Sequence, residues 1–284
     1  MAIFLVGASS SKLYNNTTPV KLAELAKFTF SKGLSNIQPT RDDVLIRYGV
    51  SSYSDKDYMF GSVLNYGNVI KLSSNKLNCN LLFLQKKIPS PEVFLNFNDI
   101  RNEDLPVLRR LKYHSRGSDI KRIDNLSSVV HGDYYSKFID SKCEYRILVF
   151  DGKAIRVQLK VKSEDNQGSD YIHNYENGFL LKDNFAHDVE LENKLIAMSE
   201  RAVATVGLDF GAVDILVSKD NEPYVLEVNS APRLNKYGRQ LFTIYLYRKL
   251  GREVNLNDFS RIKVNEGRNS TGLPVEFREI IINR

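Results

Sequence analysis

Apolar and polar positions along the 284-residue chain change period repeatedly, and the changes predict interleaved strands and helices. Short apolar runs read as buried strands at 3–6, IFLV, and at 43–49, DVLIRYG. Between them Thr18-Pro19 opens a helix with Leu22, Leu25, Ala26 and Phe30 on its apolar side and Gly33 just past its end, the expected asymmetry of proline and glycine. A second helix is expected over about 76–87, with Leu77, Leu81 and Leu84 on one stripe and Pro89 and Pro91 closing it. Strand patterns follow at 93–97, 105–111, 134–139, 144–150 and 154–161, the last two joined through Asp151-Gly152 as a hairpin. The stripe Leu191, Leu195, Met198, Ala202 and Val206 predicts a long helix stopped by Gly207. A hairpin, AVDILVS–KDNE–PYVLEVN, comes next, then a helix over about 237–250 that Gly251 ends. The tail from 252 is polar, with one late strand-like run, EIIIN. The alternation argues for an α/β or α+β architecture, with boundaries near residues 72 and 138.

Composition narrows the class. Apolar content of 42% and charged content of 26% are those of an ordinary soluble globular protein. The longest apolar stretches are strand-sized, so no membrane span is expected. The opening MAIFLVGASSS lacks a basic stretch and a long apolar run, so no secretion signal is expected either. Cys79 and Cys143 form no CxxC pair, which points to a reducing compartment and a cytoplasmic location. His114, His131, His173 and His187 show no zinc-binding spacing. A net charge of +6 favours an anionic partner, whether nucleotide, acidic substrate or nucleic acid, against a surface that is simply basic.

The stretch 225-VLEVNSAPRL-234 carries an acid and an amide on one face of an apolar strand. If the hairpin turns through Asp220-Asn221, Asp214 faces Glu227 directly, and Asn229 lies on the same face two residues on. Directly opposed Cβ atoms lie about 4.5–5.5 Å apart, so the register sets two carboxylates against each other in an apolar setting. A cation must sit between them. An oxygen-only set of Asp214, Glu227 and Asn229 suits magnesium shared with nucleotide phosphates; the alternative is that one acid is protonated or salt-bridged by a nearby arginine such as Arg233.

These residues carry a resemblance. GLDFGAVDILV (207–217) followed by YVLEVNSAPRL (224–234) is similar to the metal-binding core of the ATP-grasp superfamily, nearest to the RimK-like carboxylate–amine ligases, in which an acid and an E-x-N-x-x-P strand hold magnesium on ATP. Further motifs agree in order: 74-SNKLNCNLLFLQKKIPSPEVF-94, 107-VLRRLKYHSRGSDI-120 and 143-CEYRILVFDGKAI-155. The resemblance implies an ATP-grasp fold of two α+β lobes gripping ATP, preceded by a small α/β lobe. The expected division is an N-terminal lobe at 1–72, a lid lobe with a phosphate flap at 73–137, and a lobe with the metal site at 138–284.

It also implies site residues. Lys76 reaches the ATP phosphates, and Arg110 stands where the family usually has a second phosphate-binding lysine, with Arg109 as the competing equivalent. His114, Ser115, Arg116 and Gly117 belong to a flap over the triphosphate. Lys137, Phe138 and Ile139 form the adenine hinge, although the family often shows glutamate at the position of Lys137. Arg146 of the E-x-R strand contacts the phosphoryl group in flight, against an ion pair with Glu144 or across the strands. Lys160 faces ATP or substrate, and Asn174 lines the acceptor side. Asp214, Glu227 and Asn229 hold the metal.

The implied reaction is amide or peptide bond formation through an acylphosphate, with release of ADP and phosphate, using ATP and two magnesium ions or manganese in their place. The implied partners are small-molecule or peptide carboxylates and amines. Two further readings stand beside it: a catalytically silent ATP-binding or regulatory protein, and an ATP-grasp enzyme acting on a nucleic-acid-linked substrate through the basic segment 109–122. GASSS and RYG (47–49), each at a strand end, are candidates to line a substrate cleft.

Overall fold

A computed structural model describes residues 1–7, 17–112, 120–127, 131–164, 168–183, 185, 188–254 and 259. Strand β1 (Ile3–Gly7) leads to helix α1 (Thr18–Leu25), then β2 (Thr29–Ser31), β3 (Val44–Tyr48) and β4 (Ser62–Leu64). These four strands form a parallel sheet in the order β2-β1-β3-β4. Helix α1 is shorter than its apolar stripe suggests: the chain leaves the helix at Ala26, Lys27 takes a left-handed turn, and Phe30 enters β2.

Two helices, α2 (Gly67–Ser74) and α3 (Lys76–Gln85), follow. Helix α3 stands where it was expected, but it buries Leu77, Cys79, Asn80 and Phe83 and leaves Leu81 and Leu84 of the expected stripe exposed; α2 has little more than Val69, Ile70 and Leu72 as apolar residues. Strands β5 (Val93–Phe94), β6 (Val107–Arg110), β7 (Lys121–Ile123) and β8 (Tyr134–Lys137) make a second sheet, in the order β5-β8-β6-β7. Strands β5, β6 and β8 are shorter than their apolar patterns, β7 had none, and Phe97–Asp99 turns as a 3-10 helix instead of extending β5.

The third sheet holds β9 (Ser141–Phe150), β10 (Lys153–Lys162), β11 (Phe179–Lys182), β12 (Phe210–Ser218) and β13 (Pro223–Asn229), in the order β11-β10-β9-β12-β13. Asp151 and Gly152 both have positive φ, the two-residue hairpin turn their sequence demands. Helix α4 (Val189–Val206) starts at Asp188, whose carboxylate accepts from the backbone N–H groups of Glu190 and Leu191, and stops at left-handed Gly207. It packs on one face of this sheet, together with α2 and α3, around Ile147, Val149, Val213, Ile215 and Val225. Helix α3 thus joins the core of the third sheet.

Helix α5 (Lys236–Lys249) covers part of the opposite face. There Phe150, Phe210 and Phe242 pack edge to face and stacked, and Tyr48 of β3 joins them. This aromatic core binds the N-terminal sheet to the third. The rest of that face is uncovered and floors a cleft. No described helix is long and apolar enough to cross a membrane.

Candidate active site

The cleft has a volume of about 1630 Å³ and lies between the second and third sheets. Its floor is a row of residues in register across four strands: Gln158 on β10, Arg146 on β9, Asp214 on β12 and Glu227 on β13. One pleat along, Arg156 and Asn229 share the face; on the other side come Lys160 and Glu144. The period of two thus gathers charged side chains from one face of each strand, while the intervening apolar ones enter the core under α4.

Asp214 faces Glu227 as the sequence predicts, but two deviations cancel to make it so. The hairpin turns through three residues, Lys219 to Asn221, with Ser218 N–H donating to Glu222 O and Asn221 left-handed. That turn alone would displace the pairing. An irregularity between Asp214 and Ile215 leaves Leu226 without an opposite residue and restores the register. It also lets Val225 stay in the core while both Leu226 and Glu227 reach the cleft.

The two carboxylates are neutralised by side chains. Arg146 grips Asp214 bidentately, Nε to Oδ1 and Nη2 to Oδ2 both at 2.7 Å. Lys160 Nζ donates to Asp214 Oδ2 at 2.9 Å and also to Glu144. Lys76, at the first position of α3, reaches across to Glu227. Arg233, the cation named from sequence as the alternative partner, instead lies over the Tyr175 ring at 5.7 Å. Nor does Arg146 pair with Glu144, which holds Lys160 and, at 2.8 Å, His173 Nδ1. Burial alone would raise the Asp214 carboxyl, yet Arg146 and then Lys160 hold it below the ordinary carboxylate range. Burial and Asp214 likewise press Glu227 upward; Lys76 above all brings it below its usual value.

The remaining predicted residues divide clearly. Arg110 lines the cleft, and its buried Nε has no hydrogen-bond partner among the described residues. Arg109, alternating to the other face of β6, donates from Nε to His131 O at 2.7 Å. Lys137, Phe138 and Ile139 line the cleft beside Leu108, Leu216 and Leu226, an apolar slot. Two hinge amides are already engaged, Lys137 N–H with Glu92 O and Phe138 N–H with Pro106 O. Asn174 also lines the cleft, its Oδ1 accepting from Asn177 N–H at 2.8 Å. His114, Ser115, Arg116 and Gly117 lie outside the described residues, as do most of GASSS and the EIIIN run.

The RYG segment does not line the cleft. Arg47 is wholly buried against Asp57, the Tyr48 hydroxyl donates to Pro232 O, and Gly49 sits where a Cβ would meet Ala231 Cβ at 2.5 Å. It braces the loop after Asn229 from behind. Residues that sequence reasoning passed over include Glu144 and His173, whose pairing depends on a chain return between β10 and β11, and Thr18 and Lys21, which α1 brings to the cleft.

The donor set accommodates a hard cation. Among the described residues no three His, Cys, Asp or Glu side chains converge on one point. Asp214 and Glu227 are nevertheless adjacent oxygen donors. The Asn229 amide oxygen accepts one bond, from Ala231 N–H at 2.9 Å, and keeps a lone pair. Two carboxylates and an amide, completed by phosphate oxygens, fit magnesium.

Residues 120–250 match the model of the RimK-like ATP-grasp domain. They have the ATP-grasp fold. The same fold extends through the described chain. It resembles the D-alanine–D-alanine ligase of Bacillus anthracis at a TM-score of 0.66 and 15% identity, covering 88% of this chain and 98% of that one. It also resembles N5-carboxyaminoimidazole synthase of Aspergillus clavatus, solved with ADP and 5-aminoimidazole ribonucleotide (TM-score 0.63, 13% identity, 89% and 78% covered). A third likeness is to the ATP-grasp ligase PsnB in complex with a minimal precursor (TM-score 0.58, 13% identity, 82% and 92% covered). No curated protein sequence matches the chain. The matched segment contains the third sheet but not α3, so Lys76 reaches Glu227 from outside it.

Proposed function

We propose that the protein is an ATP-dependent carboxylate–amine ligase, forming an amide or peptide bond through an acylphosphate and releasing ADP and phosphate. One observation carries the reading: Lys76, Arg146 and Lys160 meet Glu227, Asp214 and Glu144 on one face of a cleft, in pairs made only by side chains. Such pairs can be exchanged. An entering triphosphate would draw the cations from carboxylate to phosphate oxygens, which frees Asp214 and Glu227, with Asn229, to hold magnesium ions. Bound magnesium, or manganese in its place, supplies charge screening of the phosphates and polarisation of the transferred group.

The chain's own residues divide the remaining work. Leu108, Ile139, Leu216 and Leu226 receive the adenine. Lys76 and Arg110 bind the phosphates, and the unpartnered Arg110 Nε is a donor awaiting an anion. Arg146 and Lys160 face the phosphoryl group as it moves from ADP to the substrate carboxylate. The amine then attacks the acyl carbon and phosphate departs. No protein nucleophile is needed, and positioning and electrostatics supply the rate. The substrates are a small-molecule or peptide carboxylate and an amine. Cys79 and Cys143 are free thiols, in keeping with a cytoplasmic location.

The test is ADP release, measured with panels of carboxylic acids and amines. Glu227→Gln should lower turnover by about 10³-fold, a loss of the size expected when a charge-stabilising group is removed, while the folded circular-dichroism spectrum is kept. Full activity in that variant would refute the site. Nucleotide binding without ADP release for any pair would favour a silent ATP-binding protein instead.

A further inference from the structure

The cleft has a second pole, where the charge is not balanced. In the phosphate half three of the four cations, Lys76, Arg146 and Lys160, meet three acids, and Arg110 is the fourth. Beyond Asn229, Lys21, Arg233 and Arg239 also line the cleft, and none has a carboxylate partner among the described residues. Arg239 Nη1 donates to Leu234 O at 2.8 Å, which fixes its guanidinium and leaves its other donors to the cleft. Arg233 lies over Tyr175. The acids nearby are Asp183, which Arg156 grips bidentately at 2.7 Å, and Glu176, which is exposed at the rim as Arg233 is.

Where these cations sit is as telling as their number. Lys21 closes the first turn of α1 and Arg239 the first turn of α5, and neither first turn contains an acid. A helix N-terminus carries positive partial charge and disfavours a cation. Two helices aimed at one cleft, each placing a cation against its own dipole, make an arrangement that opposes stability until an anion is shared between them. The volume also allows for one, since about 1630 Å³ exceeds the roughly 300–1,000 Å³ typical of a site for one small ligand.

We infer that Lys21, Arg233 and Arg239 bind a second anionic group of the acid substrate, one that is not the carboxylate being activated. The substrate acid is therefore at least a dianion, either a dicarboxylate or a phosphorylated carboxylic acid. The inference rests on the ligase reading for the word substrate, but the anion site stands on its own geometry.

Calorimetry on the full chain with a non-hydrolysable ATP analogue and magnesium separates the two. Matched pairs serve as probes: glutarate against valerate, and O-phosphoserine against serine. At least one dianion should bind about ten-fold or more tighter than its monoanionic or neutral match, the worth of one charge-assisted contact; which pair responds tells carboxylate from phosphate. Arg233→Ala and Lys21→Ala should each abolish that preference and leave the affinity for the analogue unchanged. Equal binding within both pairs, or variants that weaken both members alike, would overturn the inference. A dianion that binds through Arg233 yet never supports ADP release would count against the ligase reading and leave the anion site intact.

Discussion

Two buried arginine–aspartate pairs in this molecule serve opposite ends. Arg47 on β3 and Asp57 in the turn that follows it have side chains 0% and 5% exposed. Arg47 donates to the Asp57 carboxylate and also to the backbone carbonyls of Val50, Ser52 and Tyr53, and Asp57 Oδ2 accepts from Gly67 N–H. Three of the five hydrogen bonds that Arg47 donates go to main chain that has nowhere else to go. Arg146 and Asp214, 19% and 6% exposed, pair through two nitrogens and both carboxylate oxygens, but their partners are side chains: each other and Lys160. Backbone partners make a pair permanent, whereas side-chain partners on a cleft wall leave it open to exchange. Burial and bond length alone would not have told the two apart.

The largest expected effect falls on the permanent pair. Arg47→Met leaves Asp57 buried without its cation and three carbonyls without a donor. A loss of about 3–5 kcal/mol is expected, the range for breaking a buried pair, read as a fall in the urea midpoint. A loss below 1 kcal/mol would show that this pair is as replaceable as the one in the cleft. The exchangeable pair should respond the other way. Arg146→Lys keeps the charge but not the fork that grips Asp214, so stability should move by about 1 kcal/mol while ATP turnover falls by about 10²-fold. If both quantities fell together, Arg146 would be a strut like Arg47.

Much of this was legible in the sequence, and the reason differs by region. Glu144 and Arg146, Gln158 and Lys160, and Glu227 and Asn229 fall two apart on their strands, so the face carrying Arg146, Lys160, Asp214, Glu227 and Asn229 could be assigned from the sequence. The cancelling pair of irregularities in the β12–β13 hairpin could not, because a three-residue turn and an unpaired Leu226 leave no mark in a pattern read locally. Arg109 and Arg110 show the limit plainly: adjacent residues of one kind differ only in which side of β6 they occupy, and it is the strand's register that sends Arg110 to the cleft. Arg47 looked like a cleft residue at a strand end, since its saturation by Val50, Ser52 and Tyr53 depends on a loop the sequence does not fix. Lys21 on α1 and Arg233 and Arg239 at the start of α5 are far apart in sequence and line one cleft through the packing of α1 against α5.

The smallest effect is one of sign, and it tests directly whether side chains alone hold the cleft acids ionised. Asp214 and Glu227 both have folded pKa values below their ordinary 3.8 and 4.5. A depressed carboxyl adds stability that is present in full above its unfolded pKa and is lost as pH falls through the folded one. The unliganded protein should therefore hold its urea midpoint from about pH 8 to about pH 5 as far as these groups decide it, and lose stability below about 4.5. In Lys76→Met the balance at Glu227 reverses. Burial, the strongest influence, and Asp214 then press its carboxyl upward, and Arg146, the weakest of the named influences, is left to oppose them. A carboxyl raised above its unfolded value destabilises at high pH and recovers on protonation, so the variant should become more stable, not less, as pH falls from about 7 to about 5. A midpoint that stays level over that interval in Lys76→Met would mean that Glu227 is held by more than its lysine, and that the cleft pairs are closer to the Arg47–Asp57 kind than their partners indicate.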